Sequence, residues 1–201
     1  MALTPSTMLA LGTQAPGFSL PDVKTGRKIS LRDFEGKKAL LVMFICRHCP
    51  YVQHIKDELA KLGRDYASKD AALIGISAND AVNYPDDSPA SLKAFAEEER
   101  FTFPLVYDES QETAKAYTAA CTPDFFLFDS RRKLVYRGQL DDSRPGSGKP
   151  VTGADLRSAL DAVLADKPAA ADQKPSIGCN IKWKKGSEPA YFGRSASSAR
   201  S

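Results

Sequence analysis

No stretch of this chain of 201 residues supplies the roughly 18 consecutive apolar residues that a membrane-spanning helix needs. No membrane partner is therefore expected. The opening MALTPSTMLALGTQAPGFSL lacks a basic n-region and an adequate apolar h-region, so it does not read as a signal peptide. Cysteine is scarce. Cys46, Cys49, Cys121 and Cys179 are four in all, too sparse for a disulfide scaffold in a chain this size. Histidine is scarcer, with only His48 and His54, and there is no second CxxC. A four-ligand zinc site is thus hard to assemble, and no metal is expected. No phosphate-cradling glycine loop and no Ser-His-Asp arrangement stands out, so no cofactor is expected either. A strong excess of one charge is missing too. The net charge is +3, but the segment from Asp166 onward carries seven Lys/Arg against three Asp/Glu, which leaves the body slightly acidic. A nucleic-acid partner is not expected of such a body.

What is present suits one globular domain. Hydrophobic residues make up 42% and charged residues 26%, enough to build a core behind a soluble surface. The default compartment is a reducing cytoplasm, where a close pair of cysteines rests as thiols until a substrate oxidises it. Gly17 to Leu31 reads as short strands about a turn at Lys24-Thr25-Gly26. Ala39 to Ile45 (ALLVMFI) is apolar without alternation, the pattern of a strand buried on both faces. It ends at Cys46. From there Val52, Ile55, Leu59, Leu62 and Tyr66 recur at helical spacing, with Lys56, Asp57 and Lys61 on the other face. A buried strand therefore runs straight into an amphipathic helix.

Ala71 to Ser77 is a second buried strand, followed by a polar, Pro-containing loop over 79–89. A charged helix at 91–100, a short strand at 102–107 and a short helix at 111–117 come next. Strands at 124–129 and 133–139 read as an antiparallel pair about a turn at 130–132. A last helix spans 152–166, with Thr152 at its cap and Asp155 three residues on. The alternation predicts an α/β architecture with a mixed central sheet flanked by helices. The expected domain is 1–166, and 167–201 reads as an extended or partly disordered basic tail. An island around Cys179 and Trp183 interrupts that tail and is expected to pack on the domain.

Cys46-Arg47-His48-Cys49 carries the chemistry. A thiolate is the nucleophile in disulfide exchange, so one cysteine needs a lowered pKa. Free N–H groups and the positive dipole end at a helix start favour an anion. Cys46 is expected there with a depressed pKa, and Cys49 is expected to be the more buried, unshifted partner. Arg47 and His48 read as cations beside the forming thiolate. Thr122-Pro123, just ahead of the strand 124–129, resembles in position and order the cis-proline loop that faces the cysteine pair in thioredoxin folds, and a cis-proline is rare and usually purposeful. Such a loop makes Thr122 and Pro123 the substrate-binding candidates. Cys121 reads as packing with a possible redox role, and Cys179 as a resolving thiol or an anchor. Asp141, Asp142 and Arg144 read as a solvated loop, and His54 as exposed.

The segments GTQAPGFSLPDV, FICRHCPYV, CTPDFFLFD, YRGQLDDSRPGSGKPVTGADLRSALDAVL and IGCNIKWK resemble the peroxiredoxin-like branch of the thioredoxin superfamily, the alkyl hydroperoxide reductase/thiol-specific antioxidant or redoxin type. The resemblance covers nearly the whole chain. It implies a thioredoxin fold with an N-terminal extension, and a thiol redox role. Cys-x-His-Cys also resembles the centres of protein disulfide isomerase and the periplasmic disulfide oxidants. That implies a couple less reducing than thioredoxin, whose centre has Gly-Pro. Peroxiredoxins carry Pro-x-x-x-Thr-x-x-Cys. Counted from Cys46 those places hold Ala39 and Met43; counted from Cys49 they hold Val42 and Cys46. Thioredoxin's tryptophan before the first cysteine is replaced by Ile45, and its buried acid by Leu40, which leaves the base for Cys49 unassigned.

Three functions compete. The first is a thiol–disulfide oxidoreductase in which Cys46 attacks and Cys49 resolves. Its partners would be protein or small-molecule thiols and disulfides, plus an electron-donor reductase system. The second is a thiol peroxidase with Cys46 peroxidatic, expected to be weak. The third is a metal-binding module holding an ion such as Cu(I) through Cys46 and Cys49, which soft thiolates make chemically reasonable.

Overall fold

The protein is seen here as a computed structural model, in which residues 3–193 are described. Its centre is a five-stranded mixed sheet. β4 (Ala39–Phe44) lies in the middle. It pairs in parallel with β5 (Ala71–Ser77) and antiparallel with β8 (Asp124–Phe128). β6 (Leu105–Tyr107) flanks β5, and β9 (Leu134–Gly138) flanks β8. The run predicted to be buried on both faces is therefore the middle strand. Alternate side chains of a strand point to opposite faces, and this divides the core. Ala39, Leu41 and Met43 enter one apolar cluster. Leu40, Val42 and Phe44 enter the other.

The first cluster is closed by α1 (Pro50–Tyr66), α2 (Pro89–Glu98) and α4 (Ala154–Leu164). α1 buries Val52, Ile55, Leu59, Leu62 and Tyr66, the stripe read from the sequence. The second cluster is closed by Ala114 of α3 (Glu112–Ala116) and by Tyr117 just after it. The N-terminal residues Ala15, Phe18 and Leu20 complete that face, with Ile181 and Trp183. Tyr117 meets the rings of Phe44, Phe126 and Phe128 at centroid distances of 5.6–5.9 Å, so this side is held largely by aromatic packing. β2 (Ser19–Pro21) and β3 (Lys28–Ser30) form the hairpin expected about Lys24-Thr25-Gly26.

α4 starts differently from its prediction. Its N-cap is Gly153 at φ +66°, not Thr152. The caps are supplied by Asp141, whose carboxylate accepts the N–H groups of Thr152 and Gly153, each at 2.7 Å, and of Ser143 at 2.9 Å. Burial alone would raise the Asp141 pKa, but these bonds outweigh it and hold the group low. Asp141 and Arg144 are thus structural rather than part of a solvated loop. Arg144 bonds the Gln139 side chain and the carbonyls of Asp141 and Ser143. His54 is half-buried, with Nε2 3.2 Å from the Ser143 hydroxyl, not exposed.

Part of the segment beyond Asp166 is built into the body. β10 (Ile177–Asn180) lies between β1 (Leu3–Pro5) and β7 (Cys121–Thr122) in a second, three-stranded sheet. Its neighbours Ile181 and Trp183 are buried. Residues 194–201 of the expected tail lie outside the described residues. No helix among the described residues is long and apolar enough to cross a membrane.

Candidate active site

The chain leaves β4 at Phe44 and enters α1 at Pro50, so Cys46-Arg47-His48-Cys49 forms the connecting turn. Proline at the first helical position is pre-set for a helix and forfeits only an N–H that would have no partner there. The N-cap is Cys49. The loop facing the turn is Thr122-Pro123, joined by a cis peptide bond. β8 follows directly from Pro123 and pairs with β4, Asp124 opposite Phe44. The two strands therefore carry the loop and the cysteines to the same end of the sheet. Cys46 Sγ lies 3.3 Å from the Thr122 hydroxyl, and Cys49 Sγ lies 3.1 Å from the Thr122 carbonyl oxygen. Both cysteines are almost fully enclosed, at 1% and 0% exposure.

The thiol with the lowered pKa is Cys49, not Cys46 as expected. The Cys49 thiol is lowered to about 5. The chief cause is the Cys46 thiol donating to its sulfur; the Thr122 hydroxyl and the N–H groups of Val52 and Cys179 add to it. Cys46 is pushed up instead, first by burial, then by its bond to Cys49 and the nearby negative charge of Asp87. The helix start that favours an anion belongs to Cys49, three residues later than the sequence reading places it.

Arg47 and His48 do not stand as free cations. Arg47 donates to the Ser91 carbonyl at 2.9 Å and pairs with Glu98 at 3.0 Å. His48 Nδ1 is bonded to the Asp87 carboxylate, and the imidazole stacks on Tyr84 with ring centroids 5.8 Å apart. That bond raises the His48 pKa.

Asp87 itself is a site residue that the sequence reading leaves in an undifferentiated polar loop. It is fully buried, and accepts the N–H of Arg47 at 2.8 Å, the N–H of His48 at 3.2 Å and the Asn79 amide at 2.6 Å. Burial alone would raise its pKa, but these donors and His48 hold it down. Its one available signal is position, in a loop that returns to the C-terminal end of the central strands.

Cys121 and Cys179 fall differently. The Cys121 thiol is buried, raised well above its ordinary range by burial, and donates to the Pro123 carbonyl at 3.6 Å. Cys179 lies opposite Thr122 in the β10–β7 pairing. Its thiol is pushed up to about 12 by burial and by its hydrogen bond to Cys49. Leu40, in the place of thioredoxin's buried acid, is packed in the second apolar cluster.

A mixed five-stranded sheet with a Cys-x-x-Cys turn at a strand–helix junction and a cis-proline loop against it defines a thioredoxin-fold redox protein. Solved thiol–disulfide oxidoreductase domains share this fold. The chain belongs to the AhpC/TSA family, whose model matches residues 11–137. It is 28% identical over 134 residues to the thiol–disulfide oxidoreductase ResA of Bacillus thuringiensis, spanning 66% of this chain and 71% of that protein. It is 30% identical over 118 residues to a putative peroxiredoxin of Mycobacterium tuberculosis, spanning 58% and 69%. The solved structure of an uncharacterised conserved protein from Geobacillus kaustophilus superposes with a TM-score of 0.90 at 53% identity, covering 92% of this chain and 97% of that one.

Proposed function

We propose that the chain is a thiol–disulfide oxidoreductase that exchanges dithiol for disulfide at Cys46 and Cys49, acting on thiol or disulfide substrates in a reducing cytoplasm and recharged by a reductase system. One observation carries this reading: both sulfurs converge on Thr122, Cys46 on its hydroxyl and Cys49 on its carbonyl. In the reduced pair the Cys46 thiol hydrogen-bonds to the Cys49 sulfur, which favours charge on Cys49 over Cys46. As a substrate disulfide approaches Cys46, its thiol proton passes to Cys49 and Cys46 attacks, releasing one substrate thiol. Cys49 then gives up its proton and attacks the mixed disulfide at Cys46, releasing the second. The proton is shared between neighbours, so Cys46 need not be acidic on its own to react.

The test is turnover of a disulfide substrate, insulin with dithiothreitol, by the wild type and by Cys46→Ser and Cys49→Ser. Both variants should lose activity by about two orders of magnitude or more, and Cys49→Ser should trap the mixed disulfide on Cys46. Wild-type turnover at the uncatalysed rate would refute the reading. Reduction of hydrogen peroxide should be slow beside it, because Met43 and Ala39 replace the threonine and proline of the peroxidatic motif. Fast peroxide consumption would promote the peroxidase reading.

A metal-holding reading has one observation in its favour. Ligand atoms of Cys46, His48 and Asp87 lie within 4.8 Å of one another. His48 and Asp87 are already bonded to each other there, so metal analysis of the purified protein should find no stoichiometric ion.

A further inference from the structure

In thiol–disulfide exchange a third thiol matters only if it reaches a sulfur of the pair. Cys179 meets that condition through the fold. β10 pairs antiparallel with β7, with Cys179 opposite Thr122 and Asn180 opposite Cys121. Thr122 is the residue on which both sulfurs of the pair converge. Cys179 is buried in the same apolar cluster as Cys46 and Cys49.

The approach is close and fixed. A Cβ at Gly178 would overlap the Thr122 carbonyl oxygen, so only glycine lets β10 lie this tightly on the loop. β10 is held from its far side by β1, with Leu3 opposite Cys179. Just past β10, the Lys182 N–H donates to Asn79 at 2.8 Å. The Cys179 thiol is hydrogen-bonded to Cys49, and its N–H also favours the charge on Cys49.

We propose that Cys179 is a third redox thiol of this centre, able to replace Cys46 as the disulfide partner of Cys49. This rests on the exchange reading given above. A substrate disulfide first oxidises the pair to Cys46–S–S–Cys49 and leaves as two thiols. The Cys179 sulfur then attacks the Cys49 sulfur. The Cys46–Cys49 bond breaks as the Cys49–Cys179 bond forms, and the Cys179 proton passes to the released Cys46 thiolate. No electrons are gained or lost in this second step. Cys46 becomes a free thiol, and β10 is tied covalently to the start of α1.

The experiment uses the full chain, oxidised with oxidised glutathione, acid-quenched, alkylated and mapped by mass spectrometry. Wild type should yield both Cys46–Cys49 and Cys49–Cys179 linked peptides. Cys46→Ser should take one glutathione on Cys49 and then release it as the Cys49–Cys179 bond forms, whereas Cys46→Ser/Cys179→Ser should keep the glutathione. Circular dichroism of each variant checks that it is folded, and the wild-type map needs no variant. A stable glutathione adduct in Cys46→Ser, together with only Cys46–Cys49 in the wild type, would overturn the proposal and leave the exchange reading standing. Absence of the Cys46–Cys49 bond as well would sink both.

Discussion

Asp87 sets the charge balance around Cys46. A buried carboxylate disfavours a second negative charge close to it, and Asp87 is among the causes that push the Cys46 thiol up. His48 offsets that charge through its bond to the same carboxylate. The two residues should therefore act in opposite directions. Asp87→Asn should lower the pH at which Cys46 is alkylated and return the His48 titration toward its ordinary range. His48→Ala leaves Asp87 less neutralised, so Cys46 should become harder to ionise and the couple more reducing. A tenfold change in the exchange equilibrium corresponds to about 30 mV for two electrons, so a redox titration resolves the effect. Shifts of the same sign in both variants would show that Asp87 does not act through charge. Asp87 could not have been placed from the sequence. It sits among Asp80, Asp86 and other polar loop residues, and only tertiary folding brings one of them beneath the Arg47 and His48 amides. Cys46, Cys49 and Pro123 were legible, because a strand–CxxC–helix junction and a strand-opening proline are local patterns. The charge on Cys49 was not, because it depends chiefly on the Cys46 thiol and on Thr122 and Cys179, which only the folded chain brings to its sulfur.

β10 shows the same divide among elements. Strands β4 and β5, helix α1 and the β8–β9 hairpin lie where their apolar spacing puts them, within a residue or two. β10 has four residues, too few for a periodic signal, and its partners are over 50 and over 170 positions away in the chain. Only the glycine beside Cys179 hints at it. That glycine gives a test of what β10 does for the site. Gly178→Ala should push β10 off the Thr122 carbonyl. Amide exchange should then speed up over 177–180, and Cys46 and Cys49, now almost fully enclosed, should react faster with a neutral alkylating agent in the native protein. The five-stranded sheet should keep its protection, since β10 belongs to the other sheet. Unchanged thiol reactivity alongside a loosened β10 would mean that other groups close the site.

At the scale of the whole molecule, buried carboxylates make stability depend on pH in two opposing ways. Asp87 and Asp141 are held low by their donors, so the stability they contribute is present above the unfolded carboxylate pKa and is lost as pH falls through their folded values. Asp124, directly after Pro123, is the reverse case. It is fully buried between β4 and the cis-proline loop. It accepts from the Ser6 hydroxyl at 2.9 Å and the Ala120 N–H at 3.3 Å, yet burial pushes its pKa up to about 7. An unfolded aspartate titrates near 3.9. Between those values the native chain keeps a proton that the unfolded chain has lost, so this group's contribution falls as pH rises from about 4 to 7 and is flat on either side. Each unit of displacement is worth about 1.4 kcal/mol, which makes the change on the order of 4 kcal/mol. Asp124→Asn is neutral throughout and should abolish this slope, whatever constant offset the amide introduces. Urea unfolding of both proteins from pH 4 to 8 measures the difference. The wild type should lose stability relative to the variant across that interval, most steeply in its middle. Parallel curves would mean that Asp124 is ionised in the folded state at neutral pH, its charge fully compensated by Ser6 and the Ala120 amide.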